Sequence, residues 1–141
     1  MNRVFPDSSV FFSACYLASG HSRDLLLMAL RDEILLVCSN YVIQETRRNL
    51  DKLSSDHLVF LDFILDNLPL ELIKPTKAEV LAAAEHIALK DAPIVAAAKR
   101  GKVDFLVTLD KKHLLDNPNV QNYSGIDIVT PKRMLSQLTG K

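Results

Sequence analysis

Four acidic residues are spaced along the chain so that an α/β fold would bring their carboxylates to one place. Asp7 and Asp110 each follow a short apolar stretch that is typical of a strand. Glu45 lies inside a predicted helix, and Asp91 stands at the start of another. Carboxylates at one spot repel one another, and hard divalent cations such as Mg²⁺ and Mn²⁺ relieve that repulsion because they prefer oxygen ligands. The pattern therefore predicts a metal-dependent enzyme.

Short apolar stretches alternate with helical patterns along the chain, and they must position these acids. We expect strands near residues 3–6, 34–38, 70–73, 104–109 and 126–129. We expect helices near residues 9–18, 22–31, 41–53, 55–66, 77–88, 92–100 and 131–138, with a short helical turn at 111–116 and then a loop rich in Asn and Pro. This alternation favours an α/β fold, a three-layer α/β/α sandwich around a mainly parallel sheet of about five strands. Residues 1–141 are expected to form a single domain.

The carboxyl ends of the strands are the expected place of the site. Right-handed crossovers bring all the strand ends of a parallel sheet to one edge, and ligand sites form beyond that edge. Asp7 and Asp110 follow their strands directly, so both are expected there. Asp104 begins a strand instead, and we interpret it as a structural or exposed residue at the opposite edge.

Composition limits the function classes that fit the chain. Of its 141 residues, 48% are apolar, which is enough for a sizeable core. The 17 basic and 17 acidic side chains cancel, so contact with nucleic acid must come from a local patch. Cys15 and Cys38 lack metal-ligand spacing and are interpreted as buried thiols in a reducing cytoplasm. No secretory leader and no membrane span is expected.

Four segments carry a resemblance to a known family. They are Phe5–Val10, Ser39–Glu45, Lys90–Ala98 and Val103–Leu114. In this order and spacing they resemble the PIN domain, the nuclease fold of VapC-type toxins. The resemblance implies a sheet of about five parallel strands and an acidic pocket for one or two Mg²⁺ or Mn²⁺ ions. It also implies hydrolysis of RNA phosphodiester bonds and, for a toxin, a cognate antitoxin protein as partner.

The resemblance assigns roles to individual residues. The metal-binding acids of the family correspond to Asp7, Glu45, Asp91 and Asp110. We expect Asp7 and Asp110 to hold the principal ion, with Asp91 joining directly or through water. Glu45 would orient the attacking water or help to deprotonate it.

Residues around the acids are expected to support them. Thr108, which matches a small hydroxyl residue of the family, and Ser8 could donate hydrogen bonds from behind the metal ligands. Lys111 and Lys112 are candidates for binding the RNA substrate through its phosphates. Lys112 stands where many family members carry a further acid, and the loss of that acid would weaken a second metal site. His113 could contact a phosphate, although a surface or packing role is favoured.

The sequence is also compatible with purely structural roles for the acids and with different functions. Asp7, Asp91 and Asp110 could each cap the helical segment that follows it, and Glu45 could be a solvated helix residue. The domain could be a catalytically weak PIN-like binding module, or a phospho-acceptor signalling domain. Apolar helices near residues 25–30 and 58–65 suggest a homodimer or a partner groove, but an ordinary core explains them nearly as well.

Overall fold

The computed structural model describes residues 1–140. Its strands are β1 (Arg3–Pro6), β2 (Leu35–Cys38), β3 (Glu71–Leu72), β4 (Phe105–Val107) and β5 (Asp127–Val129). Its helices are α1 (Ser8–Tyr16), α2 (His21–Leu30), α3 (Asn40–Asp51), α4 (Asp56–Asn67), α5 (Lys77–Ala84), α6 (Ala92–Arg100), α7 (Pro118–Ser124) and α8 (Pro131–Thr139), with a π-helical turn at Lys111–Leu115. Among these residues, no helix has both the length and the apolar character needed to cross a membrane.

The strands form one parallel sheet in the order β3-β2-β1-β4-β5. Helices flank this sheet, so the predicted α/β fold with a five-stranded parallel sheet is confirmed. The first strand, β1, is central: β2 and β3 lie on one side of it, and β4 and β5 lie on the other. Phe5 pairs with Leu106 and Pro6 with Val107, so β1 and β4 end level with each other. This register places the residues that follow the two strands side by side.

The core surrounds the central strands. Val4 and Phe5 of β1 and Leu106 and Val107 of β4 are fully buried, as expected for strands covered on both faces. The Ala-rich helix α6 is buried along Ala96–Ala98, and its small side chains allow close packing. The central strands and α6 therefore form the packed core beneath the two strand ends.

The segment that follows the π-helical turn differs from the sequence-based expectation. The predicted loop after residue 116 contains helix α7 (Pro118–Ser124). Asn117 caps this helix, Pro118 occupies its first turn, and Gly125 ends it with a left-handed φ of 70°. Asn and Pro act here as helix-start signals, and Gly as a stop signal, so the loop prediction was wrong.

The two apolar helices have different surroundings. In α2, Leu25 and Leu26 are fully buried, so the core accounts for them. In α4, by contrast, Val59 is 70% and Phe63 is 50% exposed. The apolar surplus predicted from the sequence therefore belongs to α4.

Replacing Gly101 with Ala should lower the free energy of unfolding by about 1 kcal/mol. The added methyl would lie 3.2 Å from Ile73 Cγ1 and from Val37 Cγ1, and 3.3 Å from Ala97 O. Overpacking of this kind costs ~1–3 kcal/mol. Reduced freedom of the unfolded chain returns only ~0.4–1 kcal/mol. Urea denaturation measures the change, and an unchanged or higher midpoint would contradict the packing described for α6.

Candidate active site

Asp7 and Thr108 meet at the carboxyl ends of the paired strands β1 and β4. The hydroxyl of Thr108 donates a hydrogen bond to Asp7 Oδ2. Asp7 Oδ1 accepts from the hydroxyl of Ser9 at 2.6 Å and from the backbone N–H of Val10 at 3.2 Å. Asp7 is thus also the N-cap of α1. Three donors from two separate segments fix the orientation of this carboxylate.

The environment of Asp7 disfavours its charge. The side chain is only 3% exposed. Burial raises the pKa of the Asp7 carboxyl, and the hydrogen bonds from Ser9, Thr108 and Val10 offset that effect only in part. A nearby cation would favour the ionised form.

The hydroxyl beside Asp7 belongs to Ser9 rather than to Ser8. Ser8 is the first residue of α1, and its Oγ is buried without a hydrogen-bond partner in the described part of the chain. The Ser9 hydroxyl also accepts the backbone N–H of Leu109 at 3.1 Å. In the same way, Thr108 Oγ1 accepts the backbone N–H of Asp110 at 2.9 Å. These bonds tie the segment after β4 to the start of α1.

Asp91 occupies the N-cap position of α6 but does not act as a cap. Its backbone is in the right-handed helical region, and within residues 1–140 its side chain makes no capping hydrogen bond. The residue is 6% exposed, and its Oδ2 has no hydrogen-bond partner there. Burial raises the pKa of the Asp91 carboxyl, with the charges of Asp110 and Glu45 adding to the rise and Lys90 and His113 opposing it.

Asp110 follows β4 and faces two basic side chains. Its Oδ1 caps the π-helical turn by accepting the backbone N–H of His113 at 3.0 Å. Its Oδ2 lies 3.3 Å from His113 Nδ1 and 3.8 Å from Lys90 Nζ. Burial alone would raise the pKa of the Asp110 carboxyl. The hydrogen bond from His113 and the charges of His113 and Lys90 together outweigh that effect, so the pKa lies below its usual value.

The structure brings Asp91 and Asp110 together with His113. One potential ligand atom from each residue lies within 4.8 Å of the other two. Among the residues described, Asp7 and Glu45 lie outside this group, and the segment containing Thr108 links Asp7 to it. His113 was not among the ligands predicted from the sequence. Residue spacing gave no signal for this contact, because Asp110 has an extended backbone and His113 lies in a π-helical turn.

The remaining predicted residues lie around this group. Glu45 on α3 is partly buried and close enough to influence the charge of Asp91. It also lines a groove together with Ser8 and Ser9. Lys111 and Lys112 are exposed in the π-helical turn that follows Asp110. Asp104 binds the backbone N–H of Arg3 at 2.8 Å, at the other edge of the sheet.

This combination of fold and site defines a known class of protein. The profile of the PIN-domain family matches residues 3–112. The chain therefore belongs to the PIN-domain family, whose members are generally nucleases. No curated protein sequence matches the chain.

Solved structures of similar proteins share the fold. VapBC2 from Rickettsia felis, bound to a DNA fragment from its promoter, has a TM-score of 0.65 at 15% identity, covering 91% of this chain and 98% of that one. PAE2754 from Pyrobaculum aerophilum has a TM-score of 0.66 at 17% identity, covering 99% and 97%. FitAB bound to an IR36 DNA fragment has a TM-score of 0.58 at 17% identity, covering 91% and 94%. At these identities the similarity establishes a common fold.

Proposed function

We propose that this PIN domain is a metal-dependent endoribonuclease that hydrolyses RNA phosphodiester bonds. The observation that carries the proposal is the side chain of Asp91, which is buried and directed toward Asp110 without capping α6. Its Oδ2 has no hydrogen-bond partner in residues 1–140. An unpartnered buried carboxylate oxygen is costly unless a ligand satisfies it. A divalent cation is the ligand that suits such an oxygen.

The acids divide into two roles. Asp91 and Asp110 would hold Mg²⁺ or Mn²⁺, and Asp7 would contribute from its buried position behind them. A bound dication supplies charge for the transition state and favours ionisation of an attacking water. Thr108 and Ser9 keep the Asp7 carboxylate oriented, since each donates to one of its oxygens.

Substrate handling is assigned to the rim of the site. Glu45 would orient the attacking water, because it faces the group from α3 within electrostatic reach of Asp91. Lys111 and Lys112 are exposed next to Asp110 and would bind phosphates of the RNA. A local basic pair suits a chain whose net charge is +0, since it holds RNA only at the site.

We further propose that the protein is the toxin of a toxin–antitoxin pair in the cytoplasm. Support comes from the common fold with the VapBC2 and FitAB structures. The chain also has a groove of about 780 Å³ beside Glu45. Exposed apolar side chains line it: Tyr16, Leu17, Leu53 and Leu109. An antitoxin segment that covered this groove would reach the acidic site and exclude RNA.

The nuclease proposal is tested by incubating purified protein with a panel of single-stranded and structured RNAs. We expect cleavage with Mn²⁺ or Mg²⁺, loss of cleavage with a chelator and recovery when metal is added back. Asp7→Asn should reduce the rate by at least about 10²-fold, because an amide cannot replace the charge of a carboxylate. Circular dichroism should show that the variant remains folded.

Two outcomes would count against the proposal. Cleavage that continues at the same rate in chelator would show that hydrolysis does not require a metal ion. Metal binding without cleavage of any RNA would favour the catalytically weak binding module. Asp127→Asn is the matched control, because Asp127 is exposed at the start of β5 on the opposite edge of the sheet. This variant should cleave RNA as the wild type does.

A further inference from the structure

His113 is placed against the acidic site by the local backbone. It lies in the π-helical turn Lys111–Leu115, in which the backbone N–H of Leu115 donates to Asp110 O at 3.0 Å. Short π-helical segments are rare in proteins, and those that occur often lie at functional sites. The turn begins at Asp110, whose Oδ1 binds the backbone N–H of His113. The other oxygen, Oδ2, is left facing the imidazole.

The separation between these two side chains matches that of neighbouring metal ligands. In octahedral coordination with bonds of about 2.1 Å, adjacent ligand atoms lie ~3 Å apart and opposite ones ~4.2 Å apart. Asp110 Oδ2 and His113 Nδ1 are 3.3 Å apart, close to the distance for adjacent ligands. The full group with Asp91 spans no more than 4.8 Å, so small side-chain movements would close it around one ion.

A positively charged side chain, that of Lys90, lies next to these groups. Lys90 Nζ is 3.4 Å from His113 Nδ1 and 3.8 Å from Asp110 Oδ2. The side chain of Lys90 is 60% exposed, so it can turn into solvent when a dication arrives. Asp91 independently indicates a bound ligand, because it is 6% exposed and its Oδ2 lacks a hydrogen-bond partner among the described residues.

We infer that His113 is a metal ligand of this site, coordinating through Nδ1 beside Asp91 and Asp110. This inference rests on the proposed metal-dependent function and specifies its metal. Magnesium strongly prefers oxygen ligands, whereas imidazole suits the transition metals. A mixed oxygen and nitrogen ligand set therefore selects Mn²⁺ and its heavier neighbours over Mg²⁺.

Electron paramagnetic resonance of Mn²⁺ bound to the protein tests this inference. Pulsed spectra of the wild type should show coupling to an imidazole ¹⁴N nucleus, and His113→Leu should abolish it. We expect the Mn²⁺ affinity of His113→Leu to fall at least ~10-fold. Competition with Mg²⁺ should show a smaller preference for Mn²⁺ in His113→Asp, because that variant offers an oxygen in place of the nitrogen. His57→Asn, altered on α4, is the control and should bind Mn²⁺ as the wild type does.

The outcomes separate this inference from the proposed function. Bound Mn²⁺ without ¹⁴N coupling, in a protein that still cleaves RNA, would overturn the role of His113 and leave the nuclease proposal standing. Equal Mn²⁺ affinity in the wild type and His113→Leu would do the same. A wild-type protein that binds neither Mn²⁺ nor Mg²⁺ would overturn both.

Discussion

Replacing Asp91 with Asn should reduce metal-dependent RNA cleavage by at least about 10³-fold while making the metal-free protein more stable. The loss of rate follows from the loss of a charged metal ligand, and a factor of 10³ corresponds to ~4 kcal/mol of transition-state stabilisation. The gain in stability follows because Asp91 is buried and its Oδ2 has no partner in residues 1–140. We expect the melting temperature to rise by ~2–4 °C.

The sign of the stability change follows from the pKa of Asp91. Burial, together with Asp110 and Glu45, raises that pKa above its ordinary value of 3.8, so the folded protein disfavours the ionised form. The contribution to stability is present below the ordinary value and is lost as the pH rises through the raised one. At a pH above the raised pKa the wild type has lost this contribution, whereas the Asn variant has no charge to bury.

Calorimetric melting of metal-free samples at pH 7.5 measures the effect. Asp127→Asn is again the matched control, and its melting temperature should stay close to that of the wild type. A lower melting temperature for Asp91→Asn would mean that the Asp91 carboxylate has a stabilising structural role. That result would contradict its assignment as a ligand held ready for metal.

Replacing Thr108 with Val should lower both stability and activity. Thr108 is fully buried, donates to Asp7 and accepts the backbone N–H of Asp110. Valine keeps the shape but removes the hydroxyl that binds the Asp7 carboxylate and the backbone N–H of Asp110. An unsatisfied buried polar group costs ~1–3 kcal/mol. We expect the cleavage rate to fall ~10–100-fold, as for other residues that orient metal ligands.

Thr108→Ser separates the hydroxyl from the methyl group. Serine keeps both hydrogen bonds and loses one buried methyl, which costs ~1 kcal/mol. The Ser variant should therefore retain most of the cleavage activity although it is less stable than the wild type. Equal cleavage rates in the Val and Ser variants would show that the hydroxyl does not orient Asp7. Urea denaturation and initial cleavage rates provide both comparisons.

The sequence predicted the edge of the sheet at which the acids lie. Alternating strands and helices imply parallel strands, and parallel strands end together, so Asp7 and Asp110 could be placed at one edge before any coordinates. That reasoning used only chain direction. It could not place side chains that approach from helices, because their positions depend on how each helix packs.

Details of the site depended on the local backbone. Helix α1 was expected to begin at residue 9, but it begins at Ser8. Within this first turn, the hydroxyl that donates to Asp7 is that of Ser9, not that of Ser8. Asp91, which could have capped α6, does not do so within residues 1–140, and its backbone is already in the helical region. The approach of His113 to Asp110 arises in a π-helical turn that residue spacing alone does not reveal.

Titration of Mn²⁺ into metal-free wild-type protein and Asp91→Asn, followed by isothermal calorimetry, is the most direct test that the buried carboxylates form a metal site. We predict saturable binding of at least one ion by the wild type, and binding weakened by at least ~10-fold in the variant. Superimposable titrations of the two proteins, or no saturable binding by the wild type, would contradict the assignment of a metal site that includes Asp91.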